Sequence, residues 1–376
     1  MSILTIVIPT RDRHNTLSIT VSHLLREPIE GVEVLVVDNA CQPPVSQVIG
    51  SHKNLRVVRT NDRLDMIKNW RFGLSQIRTK YFTVIGDDDF VWKRSLTSIL
   101  AFLKLNDTPL ISWNRSAIYW PDYPDERFRG NLYLPLGPSA KRISCRELFD
   151  HMFLKTFDPF SLPGVYNSIV NTEHAKLRIR HIEDLIPADA LTPDIGSAMR
   201  FPLVFDEGIL LAQPVTLSGI SGQSNMIEKN ANLFLNEFEE KERFPLWIWN
   251  GARPLTVQGR GMLAHCHDFC AAYVTPSQHI SDIDVPWEFL EKLWEYYINN
   301  FLAISHGFFC QIVKELEAKK EEARARSGRH FLLPSISDWH YVKLFTGDVG
   351  EFFVQFENYL NQFPNVDFSD VISRID

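Results

Sequence analysis

Three consecutive carboxylates, Asp87-Asp88-Asp89, follow directly on the apolar run at residues 81–85, and a helical pattern begins just after them, near Lys93. Adjacent carboxylates repel one another and are hard oxygen donors. They suit a Mg²⁺ or Mn²⁺ ion that is held by one or two carboxylates and by the phosphate oxygens of a substrate. A solvated turn followed by a helix cap uses the same residue types, and placement at a strand end favours the metal. Asp38-Asn39 closes a second apolar run, residues 32–37, at the kind of place where an open α/β sheet reads a base and a ribose. Arg11, Arg13, Lys68 and Arg71 offer positive charge to a diphosphate, the arginines as bidentate forks.

These groups need a frame that brings them together. Residues 3–9 form a β-branched run ending at Pro9, residues 10–15 a loop, and residues 16–26 carry apolar side chains at helical spacing. Strand patterns recur at 32–37, 55–59 and 81–85, with a helix pattern at 65–76. Such alternation predicts an α/β domain with a mostly parallel central sheet flanked by helices. Ligands of these sheets bind at the carboxyl ends of the strands, which here carry Thr10, Arg11, Asp38 and the acidic triplet. Further on, the pattern predicts a strand at 110–120, a long irregular loop at 121–138, a helix at 144–153, a strand at 166–171, a helix at 193–201 with Asp194 in its first turn, and extended chain at 204–215. Beyond about residue 226 the period turns helical, at 231–243, 261–273, 286–326 and 338–362. The expected organisation is therefore residues 1–225 as the α/β domain that carries the candidate ligand groups and residues 226–376 as a mainly helical region, packed against it or used for oligomerisation.

Composition narrows the partners. A formal net charge of -7 and a pI of about 6.0 argue against nucleic acid and against broad attraction to anionic lipid. The five cysteines are odd in number and scattered, no signal-peptide pattern precedes the first apolar run, and no apolar stretch approaches the roughly 20 residues of a spanning helix. The expectation is a cytoplasmic protein with room for peripheral membrane contact. Gly259-Arg260-Gly261 reads as a turn before a helix, because no strand follows to complete a dinucleotide fold. His265, His267 and Cys270 lack a fourth zinc ligand, and the aromatic stripe from Trp287 to Phe301 reads as packing.

Several of these segments, in order, resemble the family 2 glycosyltransferases over roughly residues 3–225. Thr5-Ile6-Val7-Ile8-Pro9-Thr10-Arg11 is similar to the family's first strand, Val36-Val37-Asp38-Asn39-Ala40 to its nucleotide-reading strand end, and residues 81–89 to the strand leading into its D-x-D motif. The resemblance implies a GT-A fold and a donor site made by Pro9, Thr10, Arg11, Arg13, Asp38, Asn39, Lys68, Asn69, Asp87 and Asp88. It further implies that Asp38 contacts the nucleobase, Asp87 the ribose or the metal, and Asp89 the divalent metal. Residues 193–200 are similar to the segment that carries the family's catalytic base, which makes Asp194 the candidate, with Glu183-Asp184 as the rival pair. Pro193 stands where the family usually has glutamate, and Cys41 where it often has serine. The implied reaction is an inverting, metal-dependent transfer from a UDP- or GDP-type sugar to a hydroxyl of a glycan or lipid-linked acceptor. The alternatives are a nucleotide-sugar-binding scaffold without catalysis and a nucleotidyltransferase, although residues 10–14 lack the glycines a nucleotidyltransferase loop usually carries.

Overall fold

The structure, a computed structural model, describes residues 2–151, 161–188, 190, 192–224, 338–343 and 352–372. The elements that build the site are β1 (Leu4–Thr10), α1 (His14–Arg26), β2 (Val32–Asp38), β3 (Leu55–Arg59), α2 (Met66–Ser75), β4 (Tyr81–Val84), β5 (Phe90–Val91), α3 (Lys93–Leu105), β6 (Leu110–Trp113) and β7 (Ala117–Tyr119). They continue with β8 (Asn131–Leu136), β9 (Ala140–Ser144), α4 (Cys145–His151), β10 (Ser168–Asn171), α5 (Thr172–Ala175), α6 (Pro193–Val204), β11 (Glu207–Leu211) and β12 (Thr216–Ile220). The last are β13 (Asp338–Lys343), α7 (Phe352–Leu360) and α8 (Ser369–Ile372).

β1 is buried along all seven residues, and the reason is its place in the sheet. It lies inside an eight-stranded sheet of order β3-β2-β1-β4-β10-β6-β11-β9, where both faces must be apolar. Its side chains alternate between two cores. Ile6 and Ile8 pack with Leu17 and Val21 of α1 and Leu96 and Ile99 of α3, whereas Val7 packs with Ile67 and Leu74 of α2 and Phe201 of α6. Full burial of each such side chain is worth about 1.5–3 kcal/mol. α2 approaches the sheet closely at Gly73, where a Cβ would stand 3.0 Å from a Val37 methyl and 3.1 Å from a Val7 methyl.

Four of the seven strand pairs in this sheet are parallel and three are antiparallel, so the mostly parallel α/β sheet expected from the alternation is present. β10 enters antiparallel between β4 and β6 and reverses the direction. A second sheet has the order β13-β8-β7-β12-β5. It lays β12 against β5, immediately after the acidic triplet.

The second sheet is where sequence pattern and structure part. The run at 110–120 is two strands in two sheets, β6 and β7. The region expected as an irregular loop, 121–138, contains β8, whose Leu132, Leu134 and Leu136 are buried while Tyr133 is exposed; Pro135 breaks the reading of that alternation. The extended chain at 204–215 is β11 followed by a bend into β12. Residues 338–343, expected inside a helix, form β13 and pair antiparallel with β8, because β8 offers an open ladder that a helix could not satisfy. Among the described residues of that expected helix, 352–360 are helical. The expected helices at 231–243, 261–273 and 286–326, together with the 259–270 and 287–301 motifs, lie outside the described residues. Among the described residues, no helix is long and apolar enough to cross a membrane.

Candidate active site

The parallel register places Thr10 of β1 opposite Asp38 of β2, and Asp38 opposite Arg59 of β3. One row of polar groups therefore lines the carboxyl end of the sheet. The Asp38 carboxylate is buried and fully engaged: it accepts the N–H of Cys41 at 2.8 Å and of Val45 at 3.0 Å, and Arg59 Nη1 at 2.5 Å. Burial works to raise its pKa, but the two N–H groups and the guanidinium outweigh burial and hold it below the usual carboxylate value. Asn39 is also buried, its amide donating to the Leu64 carbonyl at 2.8 Å and its oxygen accepting the Leu64 N–H at 2.7 Å. Asp38 and Asn39 thus hold the two loops at the carboxyl ends of β2 and β3, Asp38 through Cys41 and Val45 and Asn39 through Leu64. Cys41 is buried, and its thiol is pushed up to about 12, chiefly by burial, so it is no nucleophile.

The acidic triplet is buried, not solvated, at 3%, 4% and 1% exposure for Asp87, Asp88 and Asp89. Its backbone is clamped from two sides. Thr20 Oγ1 of α1 donates to the carbonyls of Asp87 and Asp89, both at 3.2 Å, and the Trp120 indole N–H donates to the Asp88 carbonyl at 2.7 Å. The side chains then divide. Asp87 accepts Thr10 Oγ1 at 2.5 Å and Arg13 Nη1 at 3.2 Å. Asp88 accepts the hydroxyls of Ser221 at 2.7 Å and Ser224 at 3.1 Å, both on Oδ2. Asp89 has one oxygen on the N–H of Gly86 at 2.5 Å and the other on the N–H of Gly219 at 2.7 Å, with the Tyr166 hydroxyl also within bonding reach. Burial first, and the neighbouring carboxylates after it, raise Asp87 to about 6 and Asp89 to about 7, with Arg13 opposing at Asp87.

Three crowded carboxylates against one guanidinium leave negative charge that a divalent cation would neutralise. Among the described residues no three His, Cys, Asp or Glu side chains are grouped to hold one ion between them. A site made of one carboxylate plus substrate phosphate oxygens remains compatible with the donor set. Asp88 Oδ1 is the carboxylate oxygen of the triplet that accepts no hydrogen bond among the described residues, so Asp88 fits the ligand role better than Asp89, whose oxygens hold the turn together.

α6 presents Asp194 in its first turn, a quarter exposed and paired with Arg115 at 2.7 Å. The Arg115 guanidinium lies over the Tyr166 ring, 5.3 Å from its centroid, and Trp70 packs against the same ring at 6.1 Å. A continuous line therefore runs from Asp194 through Arg115 and Tyr166 to Asp89. Glu183-Asp184 sits elsewhere. Arg71 of α2 bonds the Glu183 carbonyl at 2.7 Å and Asp184 Oδ1 at 3.0 Å, which makes that pair an anchor for the 182–185 turn and takes Arg71 away from any diphosphate.

The remaining expected donor residues are divided in the same way. Pro9 is buried inside β1 and Arg11 is half-buried beside it. Arg13 also bonds the Gln223 carbonyl at 2.6 Å, so it reaches both the triplet and the 221–224 segment. Lys68 is exposed and pairs with Asp65, the N-cap of α2, at 3.4 Å. Asn69 is buried, and among the described residues its Oδ1 has no hydrogen-bond partner. Arg59, Arg115, Tyr166, Gly219, Ser221 and Ser224 join the site without having stood out in the sequence. Arg59 ends a strand beside Asp38, which is a signal a register argument could have used. The others lie far along the chain from the acidic residues they meet, Arg115 by 79 positions, Gly219 by 130, Ser221 by 133 and Ser224 by 136.

Residues 5–161 match the family model described as Glycosyl transferase family 2. That span holds Thr10, Asp38 and the whole triplet and stops before Asp194. No curated protein matches the chain. Among solved structures, the crystal structure of S. aureus TarS 1-349 aligns at a TM-score of 0.42 and 11% identity, over 96% of this chain and 92% of that chain. The same fragment in complex with UDP-GlcNAc aligns at 0.44 and 12% identity over 96% and 92%, and in complex with UDP at 0.43 and 13% over 91% and 97%. The part of the α/β fold that carries Thr10, Asp38 and the acidic triplet, residues 5–161, is thus the part that matches the family 2 glycosyltransferases.

Proposed function

We propose that this chain is a family 2 glycosyltransferase that moves a sugar from a nucleoside-diphosphate donor to an acceptor hydroxyl with inversion, with Asp194 as general base. The observation that carries the reading is the pairing of a partly exposed carboxylate, Asp194, with a buried acidic triplet at the carboxyl end of the sheet, on two sides of Tyr166. In the step, the acceptor oxygen forms a bond to the anomeric carbon as its proton passes to Asp194. The bond from that carbon to the diphosphate oxygen breaks, and the leaving nucleoside diphosphate keeps the electron pair.

The donor's base and ribose are assigned to the crevice walled by the loops that Asp38 and Asn39 hold, and the diphosphate to the neighbourhood of Thr10, Arg13 and Asp88. A Mn²⁺ or Mg²⁺ ion held by Asp88, with Asp87 beside it, would supply charge neutralisation at the leaving diphosphate. The acceptor is assigned to a glycan or lipid-linked hydroxyl entering over Asp194 and the 121–130 turn, since loops on a rigid scaffold commonly set such specificity.

A ligand that binds only the folded state raises the melting temperature. The test is therefore thermal unfolding with UDP, GDP and their sugar conjugates, each with and without Mn²⁺. A Mn²⁺-dependent shift with one diphosphate and its sugars, followed by nucleoside diphosphate release on incubation, supports the proposal. No shift with any member of the panel would sink it.

A further inference from the structure

We propose that Arg115 is a positioning residue for the transfer step: it fixes one oxygen of Asp194 and leaves the other oxygen to face the acceptor. This rests on the reading of Asp194 as the base. Arg115 lies between β6 and β7, outside every motif of the sequence, yet its Nη1 stands 2.7 Å from Asp194 Oδ2. Its side chain is 12% exposed, so the attraction acts in a medium less screening than water. Asp194 Oδ1 accepts no hydrogen bond among the described residues. A base so held presents one oxygen in one direction, the geometry that proton abstraction requires.

The guanidinium is held from a second direction, its central carbon lying over the Tyr166 ring at 5.3 Å from the centroid. Trp70 of α2 packs against the same ring at 6.1 Å, and the Tyr166 hydroxyl interacts with Asp89. Arg115 therefore takes its position from the same tyrosine that touches the triplet turn. The donor-side turn and the acceptor-side base are registered to one another through two side chains.

The experiment measures nucleoside diphosphate release by the full chain with the nucleotide sugar found by thermal shift, separating kcat from KM. Arg115→Met, which removes the fork that holds Asp194 Oδ2, should lower kcat about tenfold or more with KM for the nucleotide sugar within about twofold of wild type, while the Mn²⁺-dependent thermal shift with the nucleoside diphosphate stays at its wild-type size. Arg115→Lys, which keeps a donor but not the fork, should recover part of kcat, and it also covers the case in which the methionine variant fails to fold. A wild-type kcat in the folded Arg115 variants overturns the role of Arg115 alone. Wild-type turnover in Asp194→Asn overturns the base assignment and the positioning role with it.

Discussion

Asp88 and Asp89 are neighbours in the chain with opposite duties, and substitution separates them. Asp88→Asn should leave the fold intact and abolish the Mn²⁺-dependent thermal shift, because the carboxylate oxygen without a hydrogen bond is the one lost. Asp89→Ala strips acceptors from the N–H groups of Gly86 and Gly219. Two buried donors without partners cost about 2 kcal/mol or more, so thermal unfolding without ligand should show a clear loss of stability. The reverse pattern would return the metal to Asp89. Asp194→Asn should keep the thermal shift with the donor and lower turnover by about 10² to 10⁴, as measured by nucleoside diphosphate release; retention of full turnover would move the search to another base. The residue types needed for this chemistry were visible in the sequence as Asp38, the triplet and Asp194. Which oxygen of which aspartate is open was not, because it depends on Ser221, Ser224 and Gly219, more than 120 positions away.

At the scale of elements, β12 decides whether the acidic turn keeps its shape. A Cβ on Gly219 would stand 1.8 Å from the Asp88 carbonyl oxygen and 2.7 Å from Trp120 Nε1. Neither the backbone nor the buried indole can move aside cheaply. Gly219→Ala should therefore destabilise the fold by about 3 kcal/mol or more, with loss of donor binding; a melting temperature within a degree of wild type would show that β12 does not seal the turn. The alternation of strands and helices up to residue 105 could be read in the sequence because each element buries a regular stripe of its own. The strands β7, β8, β12 and β13 were misread or missed because they are short, interrupted by bends or Pro135, and satisfied by partners far along the chain.

At the scale of the molecule, the chain's C-terminal part completes what the N-terminal part begins. Phe353, Phe356 and Leu360 of α7 pack on Phe90, Trp92 and Trp120, and Trp92 Nε1 bonds Asn361 Oδ1 at 3.1 Å. Burying these three α7 side chains is worth about 5–9 kcal/mol in total, comparable with the whole stability of a domain. Deletion of residues 352–376 should therefore give an aggregating or largely unfolded protein, and an unchanged unfolding transition would contradict this packing account. The same contact carries a pH dependence. His23 is stacked on Phe90 at 4.6 Å, donates Nε2–H to the Val91 carbonyl at 2.9 Å and has Nδ1 3.8 Å from Glu357 of α7. Burial, aided by Lys93 and Arg26, lowers its pKa to about 4. The unfolded chain therefore binds more protons than the folded one between about pH 6.5 and 4, so this contribution is complete above pH 6.5 and is lost as the pH falls toward 4. The loss amounts to about 3 kcal/mol by pH 4. His23→Gln, which can still donate to Val91, should flatten that part of the stability curve; an unchanged slope would place the acid sensitivity elsewhere.

The amino-acid sequence by itself determined the α/β class, the strand ends where chemistry gathers and the residue types available there, because periodicity and strand-end polarity are local properties of the chain. Only the tertiary structure decided that the triplet is buried, that Asp38 and Asn39 serve the loops, that Asp194 pairs with Arg115 while Glu183-Asp184 serves α2, and that β13 closes the second sheet. Each of these depends on which distant group fills a hydrogen-bonding direction, and in a folded chain that is fixed by packing, not by spacing along the sequence.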